Sequence, residues 1–500
     1  LSHKIEYKLR NDIFNHLTNL DRNFYKNFRT GDLMTRLSSD INLVRDAIGQ
    51  GILQGIRTIV VLLFSLIVML LTDIELALIV YVLYIPMVII FFIILRVMRK
   101  KQKELQEHVS DLSSFSQESF SGIRCIKGFA IEKRRNSQFE KVNNGLIKKN
   151  MIVQATRQSL WPFMSFWFGL GMILILNFGG KRVITGDLSL GTITQFIQYL
   201  LYMQWPLLAL SWTSSLYQRG VVSWARVREI MQEESKIIDL PKNKEHIITN
   251  YKINFKNISL LIDDTVLLKN INFQIENGTS VGITGPTGSG KSLLISLLTR
   301  INDPTSGTIE IGDTDIKDVS LHSLRELIGH AAQEPILFSN TLAYNIGFGI
   351  NKPSIEKVNW AAQTANLKND IEQFPKKLET IVGERGVTLS GGQRQRTAIA
   401  RALIKNPKIL ILDDVLSAVD TQTEAKILEN IIPLVKNRTT LFISHRISSL
   451  KNCDKIIVIE DGAISQEGNH NELLLQKGYY ADLNKMQMLE QKLEVKNENY

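Results

Sequence analysis

A chain of 500 residues exceeds one ordinary domain and is long enough for two or three. Its net charge of +10 raises nucleic acid as a partner, but much of the basic excess crowds beside apolar runs, as at Arg96, Arg99, Lys100, Lys101 and Lys103. That placement belongs to cytoplasmic loops of a membrane protein, so no nucleic-acid partner is expected, and Cys125 and Cys453 fit neither a disulfide framework nor metal-ligand spacing.

Residues 1–10 are charged and polar, unlike a signal peptide. Residues 1–50, with Gly31, Asp32 and Leu33 in mid-stretch, read as a helical cytosolic loop. An apolar span follows over about 51–71, with Arg57 near its inner end as a snorkelling anchor. After the short acidic turn 72–75, residues 76–95 run without a charge, about the length that a ~30 Å hydrocarbon core requires. Pro86 inside that run is tolerable in a membrane helix, where neighbours can satisfy the freed carbonyl. The connection 96–158 is rich in Lys and Arg and is therefore assigned to the cytoplasm. Its apolar residues at helical spacing predict that the membrane helices continue into the cytosol. Further spans are expected at 159–178 and, less apolar, at about 188–217, which gives four. Lys181 and Arg182 fall on the outer side, against the charge rule. Aromatic residues gather in these last spans: Trp161, Phe163, Phe166, Trp167 and Phe168, then Tyr199, Tyr202, Trp205 and Trp212. They can line an apolar substrate cavity, or serve as interface anchors and helix packing. A charged stretch over 231–250, containing Pro241, reads as a linker.

Beyond it the pattern changes. Short β-branched runs at 251–259, 271–275, 280–284, 408–412 and 439–443 are separated by helical patterns. This predicts a core parallel sheet with an added antiparallel piece where the early strands lie close together. The strand 280–284 leads into Gly285, Pro286, Thr287, Gly288, Ser289, Gly290, Lys291 and Ser292, and then into an apolar helix. Strand, glycine-rich loop and helix in that order make a P-loop, whose backbone N–H groups and helix N-terminus cradle phosphates. Lys291 is expected to reach the β and γ phosphates of ATP, and Ser292 to ligand Mg2+. The apolar strand 409–412 ends in Asp413, a carboxylate placed to support the same ion. Leu389, Ser390, Gly391, Gly392 and Gln393 precede an Arg- and Ala-rich helix. A serine and glycine N–H groups at a helix start offer a second phosphate grip.

Together, segments 285–292, 389–393 and 409–414 resemble the nucleotide-binding domain of ABC transporters, over essentially all of 251–485. The resemblance implies a multi-domain fold, an α-helical transmembrane domain of the exporter type followed by an α/β P-loop domain. It implies that the 389–393 segment completes the ATP site of a facing copy. It also gives Gln333 the role of sensing Mg2+ and water, Ser417 and Asp420 the loop between the opposed sites, and His445 the γ-phosphate contact. Gly383, Glu384, Arg385 and Gly386 look like the exporter segment that meets the cytosolic loops of the membrane domain. The membrane half resembles six-span exporter halves in which residues 29–37 match the loop after the second span and 111–132 match the second coupling loop. The first two spans are then expected to be missing from residues 1–230, in keeping with the initial leucine, and 486–500 reads as a charged tail.

Two positions depart from the family pattern. Asp414 stands where active members usually carry the glutamate that activates water. Ile262 stands where an aromatic ring usually stacks on adenine, just ahead of Asp263 and Asp264. These departures lead to an expected half-transporter that binds ATP, hydrolyses it poorly and completes the site of a different partner chain. The alternatives are a homodimer in which Asp414 works slowly and a subunit that only assembles. Soluble relatives of this ATPase that act as clamps in DNA repair or translation are opposed by the 76–95 run. The expected cargo is a hydrophobic small molecule or lipid, with a peptide also open, moved across the cytoplasmic membrane with the ATPase on the cytoplasmic side.

Overall fold

A computed structural model of the chain describes residues 1–239, 248–263, 265–383, 386–436 and 438–497. Pro241, Asp264, Glu384 and Arg385, and the last three residues of the expected tail, lie outside these. The chain divides into two compact units, Leu1–Asn19 with Phe28–Glu233, and Leu20–Asn27 with Glu234–Tyr500.

The first unit is helical throughout its regular structure. Three of its helices are long and apolar enough to cross a membrane: Thr30–Thr72, Ile74–Ser121 and Glu132–Ile184. All three extend well past a bilayer's thickness, as the helical spacing in 96–158 predicts for the last two. The fourth expected span is instead two helices, Leu190–Tyr202 and Gln204–Gln232. The interruption falls at Met203, three residues before Pro206, whose missing N–H is tolerated among the unbonded donors of a first helical turn. Residues 1–50 are also more continuous than a loop. After the helix Ser2–Asn19, the helix beginning at Thr30 runs without a break into the first visible span.

The acidic turn is a built helix start: Asp73 Oδ1 accepts the N–H of Leu76 at 2.9 Å. Arg182 donates to both oxygens of Asp73 at 2.9 Å and lies 3.2 Å from Glu75. Arg182, one of the two basic residues on the expected outer side, is therefore paired with the carboxylates of the 72–75 turn. Nearer the other end, Asp40 is 1% exposed and accepts from Ser223 Oγ at 2.9 Å and from Arg226 at 2.5 Å. Arg36 donates to Glu229 and to the Arg226 carbonyl, so the helices containing residues 36–40 and 223–229 are joined by charge.

The second unit holds ten strands among its described residues: β1 (Ile253–Ile262), β2 (Thr265–Ile275), β3 (Ser280–Thr284), β4 (Ser306–Ile311), β5 (Thr314–Asp315), β6 (Ile328–Ala331), β7 (Ile409–Asp413), β8 (Thr439–Ile443), β9 (Lys455–Glu460) and β10 (Ala463–Gly468). A four-stranded antiparallel sheet runs in the order β2-β1-β4-β5, the added piece expected from the early strands. A six-stranded sheet runs β10-β9-β3-β8-β7-β6, parallel except for β10. Every residue of β3, β7 and β8 is buried, which is why none of them alternates apolar with charged residues and why β7 is apolar from Ile409 to Leu412. A parallel sheet delivers its carboxyl ends to one edge, and the loops after β3, β6, β7 and β8 meet there. Tyr479–Asn497 is one helix, and the expected domain boundary at 485 falls inside it.

In the membrane unit, Gly220 lies so close to Ala47 that a Cβ added there would collide with the alanine methyl. Gly220→Val should therefore force the two helices apart, at a cost of about 1–3 kcal/mol. A lower melting temperature of the purified protein in detergent is the expected reading, with Gly145→Val, where a Cβ meets nothing within 4 Å, as the neutral control.

Candidate nucleotide site

The P-loop follows β3 and turns on three glycines with positive φ, Gly285 (146°), Gly288 (85°) and Gly290 (100°). At Gly285 a side chain would also run into the Ile459 carbonyl of β9, so both the angle and the close approach demand glycine. The helix Lys291–Leu298 starts directly after the loop and aims its free N–H groups at the loop's concave side. Lys291 is 7% exposed, and its ammonium donates to the carbonyls of Gly285 at 2.8 Å and Pro286 at 2.7 Å. Burial lowers its pKa, while Asp414 and Asp413 counteract that by favouring the charged form.

Those carboxylates stand at the end of β7. Asp413 is 7% exposed, with Oδ1 3.5 Å from Ser292 Oγ, and burial pushes its pKa up to about 6. Asp414 is equally buried and sits at φ +46°, a backbone conformation rare outside glycine. Its N–H donates to the Ile443 carbonyl of β8 at 2.8 Å, which holds it between the two strand ends. Burial raises its pKa, offset by His445, Arg446 and Lys291. Gln333, just beyond β6, brings Nε2 to 3.4 Å from Asp414 Oδ2. His445 follows β8; burial first and Lys291 second lower its pKa, which favours the neutral ring. Lys291, Ser292, Asp413, Asp414, Gln333 and His445 thus share one corner of the domain, although they span more than 150 positions of sequence.

The donors fit a magnesium ion. Ser292 Oγ and Asp413 Oδ1 are hard oxygen ligands held close together, and a buried carboxylate with a raised pKa gains from a cation beside it. Among the described residues no group of three or more His, Cys, Asp and Glu could hold a metal alone.

Segment 389–393 opens the helix Gly391–Ile404 with a capping box. Ser390 Oγ accepts the N–H of Gln393 at 3.2 Å, and Gln393 Oε1 accepts the N–H of Ser390 at 3.0 Å. Gly391 and Gly392 provide the remaining first-turn donors. Added side chains there would press on the Ala418 methyl and carbonyl respectively, so the glycines allow close seating on the 417–420 loop. Leu389 is a buried core residue. Among the described residues no hydrogen bond or ion pair joins Ser390 or Gln393 to residues 285–292.

Gln395 was not singled out from sequence. It is 5% exposed, donates to Ser417 Oγ at 2.9 Å and accepts the Ala418 N–H at 3.0 Å. Ser417 Oγ in turn donates to the Asp414 carbonyl at 2.9 Å. Arg446 pairs with buried Glu424 and donates to the Ser417 and Val419 carbonyls at 3.1 Å. Asp420 caps the next helix through the Thr423 N–H at 2.9 Å. Ser417 and Asp420 of this network were expected from sequence; for Gln395 and Glu424 nothing in their local pattern stood out, and for Arg446 the signal was its adjacency to His445. Ile262 ends β1 with its side chain packed partly against the core, whereas its neighbour Leu261 and the paired Val266 are exposed.

Family models match along the chain in the same order, the ABC transporter transmembrane region over residues 1–207 and ABC transporter over 268–417. The chain belongs to the ABC transporters. It is 36% identical over 505 residues to the multidrug resistance-like ATP-binding protein MdlA of Escherichia coli K12, covering all of this chain and 85% of MdlA. It is 34% identical over 493 residues to the ATP-dependent lipid A-core flippase of Syntrophus aciditrophicus, covering 99% of this chain and 82% of the flippase. A solved bacterial Atm1-family ABC exporter with ATP bound superposes with a TM-score of 0.81 at 27% identity, over 97% of this chain and 86% of that one. The protein is accordingly a multi-pass membrane transporter of exporter type, with a nucleotide-binding ATPase domain on the cytoplasmic side.

The raised pKa of Asp413 has a signed consequence. Its protonated form is favoured by the fold, so that contribution is full below the ordinary carboxylate range and lost as pH rises through about 6. At pH 8, Asp413→Asn should raise the melting temperature of nucleotide-free protein, by an amount corresponding to about 1–3 kcal/mol. The same variant should lose the extra stabilisation that magnesium adds to ATP, measured by thermal shift with and without the metal.

Proposed function

We propose that this chain is one half of a heterodimeric exporter, binding ATP at a weakly hydrolytic site of its own and completing a competent site on its partner. The observation that carries the reading is Asp414. It occupies the water-activating position with a side chain one methylene shorter than glutamate, and Gln333 lies beside it. A carboxylate drawn back by more than about 1 Å from the attacking water can lose on the order of 10²-fold in rate. The segment 389–393 has no such defect, because its cap is complete and its glycine donors remain free for phosphate.

In this reading ATP lies along residues 285–292, with Lys291 drawn from the loop carbonyls to the β and γ phosphates. Ser292, Asp413 and Gln333 would hold magnesium, which when bound neutralises developing phosphate charge. His445, kept neutral by burial and Lys291, donates one ring N–H toward the γ-phosphate. Ser390, Gly391 and Gly392 of this chain grip the triphosphate held by the partner, while Ser417 and Asp420 lie on the loop between the two sites. Closure of two domains around two nucleotides then tilts the membrane helices, since only differential affinity for the closed state can shift the equilibrium. Ile262 is a weak candidate for adenine because it is half turned into the core.

The cargo proposed is a hydrophobic small molecule or lipid. The relatives' names point that way, a multidrug resistance-like protein and a lipid A-core flippase. Trp161, Phe166, Tyr202, Trp205 and Trp212 are exposed on the membrane unit, whereas Phe168 is buried and Phe163, Trp167 and Tyr199 pack against its core. The first group is the one available to cargo.

The chain purified alone should hydrolyse ATP slowly, and Asp414→Glu should raise turnover by roughly 10- to 100-fold. Co-purification with a half-transporter carrying glutamate at this position should restore turnover without that change. Substantial ATPase activity of the chain alone, abolished by Asp414→Asn, would instead establish the homodimer.

A further inference from the structure

The helix Tyr479–Asn497 is anchored at its start and loosely packed beyond. Tyr480 is fully buried, with Oη 2.8 Å from His470 Nδ1, and Leu483 packs against the core. Past that point Met486, Met488 and Leu489 are all more than half exposed. A cleft of about 840 Å3 opens beside this stretch, bordered by Glu424, Arg446, Lys451 and Asn484. Apolar packing therefore does not hold this part of the helix against the domain.

Gln487 does touch the domain. Seven residues after Tyr480, it lies on the same helical face. Its amide nitrogen donates to the His445 carbonyl at 2.6 Å, and its amide oxygen accepts the N–H of Ile447 at 2.9 Å. One side chain thus bridges the backbone on both sides of Arg446. The loop has other anchors: the His445 N–H is directed at the Asp414 carboxylate, the Ser444 N–H donates to the Ile283 carbonyl, the Arg446 N–H to Ser444 Oγ, and the Arg446 side chain reaches the 417–420 loop. Among the described residues Gln487 supplies the hydrogen bond to the His445 carbonyl.

We infer that Gln487 is a positioning residue for hydrolysis, fixing the backbone of His445 and hence the direction of its imidazole. The inference rests on the reading of His445 as the γ-phosphate contact. A plainer role exists, since the bond to Ile447 alone would cap the short helix Ile447–Leu450. The two roles use different atoms of the amide. A glutamate at 487 keeps an acceptor for the Ile447 N–H but loses the donor and sets a carboxylate against the His445 carbonyl.

The test is single-turnover ATP hydrolysis and ATP affinity of the full chain purified without its partner, where a competent second site cannot mask the slow one. Gln487→Ala and Gln487→Glu should each slow hydrolysis roughly tenfold, with ATP affinity changed by less than about twofold. The double variant of His445→Ala with Gln487→Ala should match His445→Ala alone, because a residue acting only through another adds nothing once that one is gone. Gln487→Glu at the wild-type rate, or additive losses in the double variant, overturns the clamp while leaving His445 its role. His445→Ala at the wild-type rate removes the premise and the inference with it.

Discussion

Two carboxylates and one ammonium share a corner of the nucleotide-binding domain that is almost closed to water. Asp413, Asp414 and Lys291 are each 7–8% exposed; burial shifts each toward its neutral form, the opposite charges favour the charged one, and Asp414 adds to the upward push on Asp413. Such a cluster is costly unless its charges are satisfied together. The domain builds it by bringing the carboxyl ends of β3 and β7 to one edge, with β8 between them. A polyanion with its metal ion is the kind of ligand that completes this balance, so phosphate binding and the stability of the corner are one electrostatic problem.

The corner is not isolated within its domain. Gln395 of the 391–404 helix holds the 417–420 loop, Ser417 of that loop bonds the Asp414 carbonyl, and Arg446 returns to the loop from beside His445. Buried Glu424 accepts from Arg446, Ser448 and Ser449, so the arginine's charge is paired at the loop's base. Groups proposed to face two different nucleotides are thereby mechanically continuous within one chain. This continuity is carried by a side-chain amide, a hydroxyl and a guanidinium through directed hydrogen bonds.

The membrane unit is governed by a different constraint. Without water to solvate them, charges must pair locally or lie beyond the bilayer. Arg182 does the first with Asp73 and Glu75, while Asp40 with Arg226 and Arg36 with Glu229 join helices in the charged half of the unit. Between these charged zones the packed core is made of Met, Leu, Phe and Ile side chains, with Phe91, Phe196 and Ile175 fully buried. Residues 1–50, read from sequence as a helical cytosolic loop, are helical over most of their length, since charge on an exposed face does not stop a helix.

Much of this protein was legible in its residues alone. Local chemistry determines a P-loop, because strand, glycines, lysine and helix are contiguous and each needs only its neighbours. The same holds for the capping box at Ser390 and Gln393 and for the uncharged run 76–95. Tertiary structure decided what contiguity does not encode. It turned 188–217 into two helices, paired Arg182 with a turn more than a hundred residues away, and laid a helix over Tyr479–Asn497 that brings Gln487 to the loop after β8. The physical reason is common to these cases. Hydrogen bonds between distant segments depend on where two backbones meet, and one sequence read alone carries the donors and acceptors but not their separation.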